Sequence, residues 1–197
     1  MQAEMFQGKV VHDERAAAVY RLVILPDGGL ATALAAESAY ATSRYGSQAK
    51  WEERPVLELL RFRARADMED TLLRWMRRIC GQWAVFKLVF NNYGSHPLVP
   101  LYLRLADGST LQSLAASFHL LDGWLKSNGM EAVRLSSMWR LPLVSRLDEE
   151  EALPFLLDFS SRALHAVVKV EELVLEKSGG QVVSRLSLAP RPLQIPD

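Results

Sequence analysis

Arginines recur at every second position in one short segment of the sequence. Arg61, Arg63 and Arg65 are separated by single residues, and Arg54 precedes them. Side chains two residues apart in a β-strand share a face, so this spacing predicts a row of guanidinium groups that can bind the phosphates of RNA. Carboxylates close by in sequence dilute the field of this row and favour an ordinary solvated face instead: Glu52, Glu53, Asp67, Glu69 and Asp70.

Aromatic side chains that stack on bases are the second candidate for chemistry. Four of the five tryptophans lie inside or beside apolar patterns, and these four are predicted to pack in the core: Trp51, Trp75, Trp83 and Trp124. Trp139 is the exception because it adjoins Arg140. It is the one aromatic residue predicted to stack on a nucleotide base.

Motifs for cofactor or metal chemistry are absent from the sequence. There is no G-x-x-x-x-G-K phosphate loop, no G-x-S-x-G nucleophile elbow and no cluster of cysteines and histidines. The Gly28-Gly29 pair is far weaker than a dinucleotide-binding fingerprint. We therefore predict no cofactor and no metal ion.

The composition is that of an ordinary folded protein, and its charge gives no general attraction to nucleic acid or anionic membranes. Of 197 residues, 49% are hydrophobic and 23% are charged, and 23 basic side chains balance 23 acidic ones. The single cysteine, Cys80, excludes an intrachain disulfide and is predicted to fill the core. The sequence shows neither a signal peptide nor an apolar run that could span a membrane, so we expect a cytoplasmic protein with no membrane partner.

The elements that position these residues follow from the apolar periodicity. In the first half we predict strands at residues 16–26 and 55–64, helices at 30–45 and 68–81, and a hairpin of 83–93 with 98–105. In the second half we predict a helix at 110–127, a strand at 135–144, a helix at 148–162 and a closing hairpin of 163–177 with 181–188.

Each half of the chain thus contains strands, helices and a hairpin, and this repeat predicts an α+β fold with two lobes. Each lobe would contain an antiparallel sheet with helices packed on the outside, and the duplicated lobes would enclose a central cleft. We expect residues 1–15 to form a flexible arm, 16–188 the bilobal domain and 189–197 a Pro-rich tail.

The succession of elements resembles the two-histidine (2H) phosphoesterase superfamily. The likeness runs from the opening strand YRLVILP through the Ala-rich helix to the closing hairpin VVKVEELVLEKSGGQVVSRLSL. This superfamily includes the LigT-like bacterial RNA 2',3'-cyclic phosphodiesterases once called 2'-5' RNA ligases. The resemblance implies that each lobe supplies one His-x-Thr or His-x-Ser motif to the cleft, where the two imidazoles exchange protons and the hydroxyls bind phosphate.

Both motifs are degenerate in this chain. The first falls on Val56 and Glu58, and the second on Arg140 and Pro142. Neither valine nor arginine can exchange a proton near pH 7. No other alignment restores a motif, because none of the four histidines is followed two residues later by serine or threonine: His12, His96, His119 and His165.

The resemblance, together with the loss of both histidine motifs, predicts a catalytically inactive binding or interaction module. Recognition of phosphate or nucleotide in the cleft would be weak, with Glu58, Arg140 and Trp139 as ligand-binding candidates and a phosphate-containing small molecule or RNA as the partner class. The favoured interpretation of Glu58 and Arg140 is an ion pair that fills and closes the cleft; the other is that Arg140 remains a phosphate anchor.

Two further hypotheses stay open on the sequence. The first is a divergent phosphodiesterase or RNA-processing enzyme in which Glu58 is the general base and Arg140 the electrostatic stabiliser. The second is an oligomer subunit that associates through an exposed strand edge at residues 83–93.

Overall fold

The computed structural model describes residues 17–190. The predicted arm at 1–15 and nearly all of the predicted tail at 189–197 lie outside the described residues. Within the described range, no helix is both long and apolar enough to cross a membrane.

The chain forms ten strands and five α-helices within the described range. The strands are β1 (Ala17–Ile24), β2 (Ala49–Trp51), β3 (Leu57–Arg65), β4 (Phe86–His96), β5 (Val99–Leu105), β6 (Arg134–Leu135), β7 (Arg140–Leu147), β8 (His165–Val170), β9 (Glu172–Lys177) and β10 (Gln181–Ser187). The helices are α1 (Gly28–Tyr45), α2 (Glu69–Cys80), α3 (Ser109–Ala116), α4 (His119–Ser127) and α5 (Glu149–Ser161).

The strands form two antiparallel sheets of five strands each. Sheet 1 has the order β10-β9-β1-β3-β6, and sheet 2 has the order β2-β7-β5-β4-β8. The predicted α+β class with two antiparallel sheets is confirmed. The strand at 86–96 lies between β5 and β8, so the hypothesis of an exposed edge there is wrong.

The closing segment differs from the predicted hairpin. Residues 163–177 form two strands, with only Glu171 between them: β8 pairs with β4 in sheet 2, and β9 pairs with β1 and β10 in sheet 1. A continuous β-like pattern cannot show that the chain passes from one sheet to the other, because both strands have the same periodicity.

Two other elements also depart from prediction. The helix expected at 110–127 is interrupted at Ser117 and Phe118, where the Ser117 hydroxyl donates to the Leu114 carbonyl at 2.6 Å and Phe118 is buried. The strand expected at 135–144 is replaced by the two-residue β6 and by β7, which begins only at Arg140. The short β2 was not predicted.

Each sheet buries one face against helices. On sheet 1, Tyr20 stacks on Phe62, and the Tyr20 hydroxyl donates to Glu69 at the start of α2. On sheet 2, Tyr93 of β4 meets Phe159 of α5 edge to face, with ring centroids 5.2 Å apart. The buried residues of both layers belong to one apolar core, so the predicted packing of helices outside the sheets is confirmed.

Cys80 lies in this core at the end of α2. Its side chain is fully buried, and burial raises the pKa of the thiol to about 12. The predicted core-filling role is therefore confirmed, since a protonated and inaccessible thiol is neither a nucleophile nor a metal ligand.

Candidate anion-binding site

The two segments that the resemblance aligns with the histidine motifs lie next to one another where the two sheets meet. The middle residues of these segments, Leu57 and Leu141, are buried and line one small cavity together with Phe90. Successive side chains of a strand alternate between faces. The next residue of β3, Glu58, and the flanking residues of β7, Arg140 and Pro142, therefore lie on the sheet faces directed away from the core.

A β-bulge determines what Glu58 contacts. In the β1–β3 ladder Val23 pairs with Glu58 and Leu22 pairs with Leu60, which leaves Leu59 as an extra residue. Leu59 and Leu60 are both fully buried. The bulge brings Glu58 and Arg61 to the same face although they are three residues apart, and in a regular strand they would lie on opposite faces.

Glu58 makes its strongest contact with Arg61. The Arg61 Nε and Nη2 atoms donate to the two Glu58 carboxylate oxygens at 3.0 and 2.8 Å. The Arg21 Nη1 atom lies 3.9 Å from Glu58 Oε2. The hydrogen bond to Glu58 raises the pKa of the Arg61 guanidinium above its ordinary value. Arg61 is therefore always positively charged.

A second carboxylate, Glu176 of β9, bonds to Arg21 and Arg54. Its cross-strand neighbour in β1 is Arg21, whose neighbour in β3 is Arg61, so all three occupy one face of sheet 1. Glu176 is fully buried and accepts a bond of 2.6 Å from Arg21 Nη2 and one of 2.5 Å from Arg54 Nη1. A buried carboxylate with two cationic donors is satisfied electrostatically and fixes both guanidinium groups.

We call Arg21, Arg54, Arg61, Glu58 and Glu176 the arginine cluster. Three guanidinium groups and two carboxylates give it a net charge of one positive. The Arg61 and Arg54 side chains are 50% and 40% exposed, so an anion in solution can reach them. The Arg21 Nε atom is buried without a hydrogen-bond partner among the described residues.

Arg140 lies on the open face of sheet 2 and takes no part in the arginine cluster. Its guanidinium carbon is 5.1 Å from the centroid of the Tyr102 ring, and Arg104 is its cross-strand neighbour. The predicted ion pair between Glu58 and Arg140 is wrong, because Glu58 bonds to Arg61 and lies near Arg21 instead. The bulge at Leu59 explains this difference, since it supplies Glu58 with a partner on its own strand.

Trp139 packs against the chain just before α3. The space a Cβ of Gly108 would occupy is only 2.3 Å from the indole Cδ1 atom, so the ring lies directly on the backbone of this glycine. Trp139 is half-buried against the core. Part of its surface is therefore covered, and stacking on a base remains a prediction.

The row of arginines on β3 has the predicted arrangement. Arg61 and Arg63 are exposed and alternate with the buried Phe62 and Ala64. Arg65 bonds to Asp67 at 3.2 Å. Two of the three guanidinium charges in the row are thus paired locally, which favours the solvated-face interpretation along most of its length.

The histidines in the described range lie outside the two matched segments. His96 ends β4 and accepts from the Leu98 amide, His119 begins α4, and His165 begins β8. The fourth, His12, is outside the described residues. Two residues of sheet 1, Arg21 and Glu176, were not predicted as site residues. The available signal for Glu176 was a carboxylate directly after the apolar run at 173–175.

Comparison with known proteins identifies the fold. No protein-family model and no curated protein sequence matches the chain. The solved structure of TT0787 from Thermus thermophilus matches with a TM-score of 0.62 and 15% identity, over 88% of this chain and 99% of that protein. LigT from E. coli, solved with NADP+, matches with a TM-score of 0.58 and 14% identity, over 88% and 99%. The MHV ns2 PDE domain matches with a TM-score of 0.56 and 11% identity, over 85% and 99%.

These matches extend over nearly the whole of each neighbour, although the identities are low. They show that the chain has the two-histidine phosphoesterase fold.

Proposed function

We propose that this chain uses the two-histidine phosphoesterase fold to bind a phosphate-containing ligand without cleaving it. The observation that carries the proposal is the arginine cluster. It is accessible and has a net positive charge, and two of its members, Glu58 and Arg61, lie on β3, the strand that the resemblance aligns with the first histidine motif. The positions that would transfer protons hold Val56 and Arg140, which cannot do so near pH 7.

The chemistry of the cluster supports an oxyanion as its ligand. Guanidinium groups present planar pairs of donors that match two oxygens of a phosphate or carboxylate. Glu176 holds Arg21 and Arg54 in place, so little side-chain entropy is lost when an anion binds. The neighbour LigT was solved with NADP+, a ligand that contains phosphates.

The alternative of a divergent enzyme is less well supported. A general base needs a free carboxylate oxygen within reach of the proton that it removes. Both Glu58 oxygens accept from Arg61. Arg140, the stabiliser in this mechanism, lies over Tyr102, while Glu58 bonds to Arg61 on sheet 1, so the two residues that the mechanism requires are not brought together.

The binding part of the proposal is tested by titration with inorganic phosphate. Arg61→Gln should weaken binding about tenfold or more, because a charge-assisted bidentate contact is lost. Arg63→Gln is the matched control: it removes the same charge from the same face of β3, but Arg63 is outside the cluster. Equal losses in the two variants would show that only the general charge of the surface attracts the anion.

The absence of turnover is tested with 2',3'-cyclic nucleotides and linear phosphodiesters. The wild-type protein should give no product above the rate in buffer. Turnover that disappears in Glu58→Gln or Arg140→Gln would overturn the proposal and would support the divergent enzyme.

A further inference from the structure

Glu58 occupies the place that an anionic ligand would take. Its carboxylate receives both donors of the Arg61 fork and lies 3.9 Å from Arg21 Nη1. Glu176 differs from it because it is fully buried and bonded to arginines on both oxygens. The side chain of Glu58 is 28% exposed, so its carboxylate borders solvent. The cluster therefore has one fixed carboxylate and one that an external anion can replace.

The charges of the cluster indicate which anion would replace Glu58. When Glu58 turns away, three guanidinium groups and the Glu176 carboxylate remain, which sum to two positive charges. A phosphate monoester carries about −1.5 to −2 at pH 7, whereas a phosphodiester carries a single charge, as a carboxylate does. Exchange of Glu58 for a diester leaves the negative charge at the site unchanged, and exchange for a monoester increases it by about one half to one.

We propose that this site selects phosphate monoesters over phosphodiesters, with Glu58 as an internal competitor and Glu176 as a positioning residue. The inference rests on the proposed function, since it requires that the arginine cluster binds an anion. It goes beyond that function by naming the ligand class. In the bound state, phosphate oxygens replace the Glu58 oxygens on Arg61 Nε and Nη2, and a third oxygen approaches Arg21.

Displacement of Glu58 from Arg61 costs little free energy. An ion pair whose partners are 28% and 50% exposed is screened by water and contributes little to stability. A ligand with a higher charge and a third acceptor oxygen can therefore displace the carboxylate. Once displaced, Glu58 lies close to the bound phosphate, and repulsion between the two lowers the affinity.

The test compares 5'-AMP with 3',5'-cyclic AMP by isothermal titration calorimetry. The two ligands share a nucleoside and differ in whether the phosphate is a monoester or a diester. Wild-type protein should bind AMP about tenfold more tightly than cyclic AMP. Glu58→Gln should tighten AMP binding by a further factor of about ten, because the competitor and its repulsion are removed.

Glu53→Gln is the matched control for Glu58→Gln. Glu53 is exposed, lies next to Arg54 in sequence, and has no ion-pair partner among the described residues. The variant removes the same charge from the neighbourhood and should leave the affinity for AMP unchanged. A gain equal to that of Glu58→Gln would show a general charge effect and would overturn the inference.

Glu176→Gln separates positioning from charge. It makes the cluster more positive, as Glu58→Gln does, but it releases Arg21 and Arg54. We expect AMP binding to weaken by about threefold or more. Tighter binding would overturn the positioning role. If this variant does not fold, Arg54→Gln tests the charge argument instead: it lowers the charge available to the phosphate and should reduce the preference for AMP over cyclic AMP. An unchanged preference would overturn the inference.

The outcomes distinguish this inference from the proposed function. If AMP and cyclic AMP bind equally and both are lost in Arg61→Gln, the site binds phosphate but the preference for monoesters is wrong. If neither ligand binds to wild type or to Glu58→Gln, the proposed function itself is wrong. An unchanged AMP affinity in Glu58→Gln would show that Glu58 is a structural partner of Arg61 and not a competitor.

Discussion

Gly94 positions the Tyr102 ring and, through this ring, Arg140. Gly94 of β4 pairs with Tyr102 of β5, and the Tyr102 ring covers the backbone there. A Cβ at residue 94 would lie 2.7 Å from two ring carbons. The ring in turn supports the Arg140 guanidinium, so the arrangement on the open face of sheet 2 depends on this glycine.

Gly94→Ala should therefore destabilise the protein and displace Tyr102. We expect a loss of about 1–2 kcal/mol, which is typical of overpacking at a contact that can partly relax. Urea unfolding measures it, with Gly123→Ala as the control: Gly123 lies in α4 with nothing within 4 Å of a new Cβ. That variant should stabilise the helix by up to about 1 kcal/mol. Equal stability of the two variants would contradict the close ring contact.

At the scale of elements, a polar network joins α1 to the end of α5. The Arg162 guanidinium donates twice to Glu37 at 3.0 Å and lies 4.0 Å from the Tyr40 ring centroid. Asp158 accepts from both Tyr40 and Tyr45. Although burial opposes ionisation, these bonds lower the pKa of Asp158 below its ordinary value. The network fixes both helices against sheet 2.

Arg162→Ala should weaken the polar network between α1 and α5. The loss of a bidentate pair and of a stacked ring predicts a decrease of about 1.5–3 kcal/mol in the free energy of unfolding. Arg44→Gln is the control, because Arg44 is more exposed and lies 3.5 Å from Asp158. It should cost less than Arg162→Ala, because an exposed ion pair is screened by water. Chemical denaturation of both variants checks the difference, and equal losses would contradict the assignment.

The stability that the contacts between α2 and sheet 1 provide should decrease in acid. Glu69 bonds to Lys177 and to Tyr20 at 2.8 Å, and the Lys177 bond above all holds the pKa of Glu69 below its ordinary value of 4.5. The folded-state pKa is lower than the unfolded one, so this stabilisation is present above pH 4.5 and is lost as the pH falls through the folded value.

Glu69→Gln should flatten this acid dependence. The amide cannot titrate, so the variant should be less stable than wild type at pH 7 and the difference should shrink as the pH falls toward 3. Thermal melts at several pH values measure it. A constant difference between the two proteins over this range would contradict the role of the Glu69 carboxylate.

Some elements of this fold can be predicted from the sequence and others cannot. Long periodic segments, such as those that form α1, α2 and β3, were predicted within a few residues, because apolar spacing reports directly on helix and strand faces. The bulge at Leu59 and the passage from β8 to β9 were not predicted. Both depend on which strand lies beside the segment, and local periodicity carries no information about that.

For the whole molecule, the two-sheet fold was predictable and the site was not. Element order was enough to indicate two lobes, and the solved neighbours share that fold. The predicted partner of Glu58, Arg140, is wrong. Its partner depends on one extra residue in β3, and the fixed orientation of Arg21 and Arg54 depends on Glu176, which is more than 120 residues away in sequence.

We propose that this chain binds a phosphate monoester and cleaves no phosphodiester. The most direct test is one ³¹P NMR experiment on wild-type protein with 5'-AMP and 2',3'-cyclic AMP in the same tube. We predict that the AMP resonance broadens and shifts, that the cyclic resonance keeps its position and intensity over hours, and that no new monoester signal appears. A growing signal from 2'- or 3'-AMP would contradict the absence of cleavage, and an AMP resonance that the protein leaves unperturbed would contradict monoester binding.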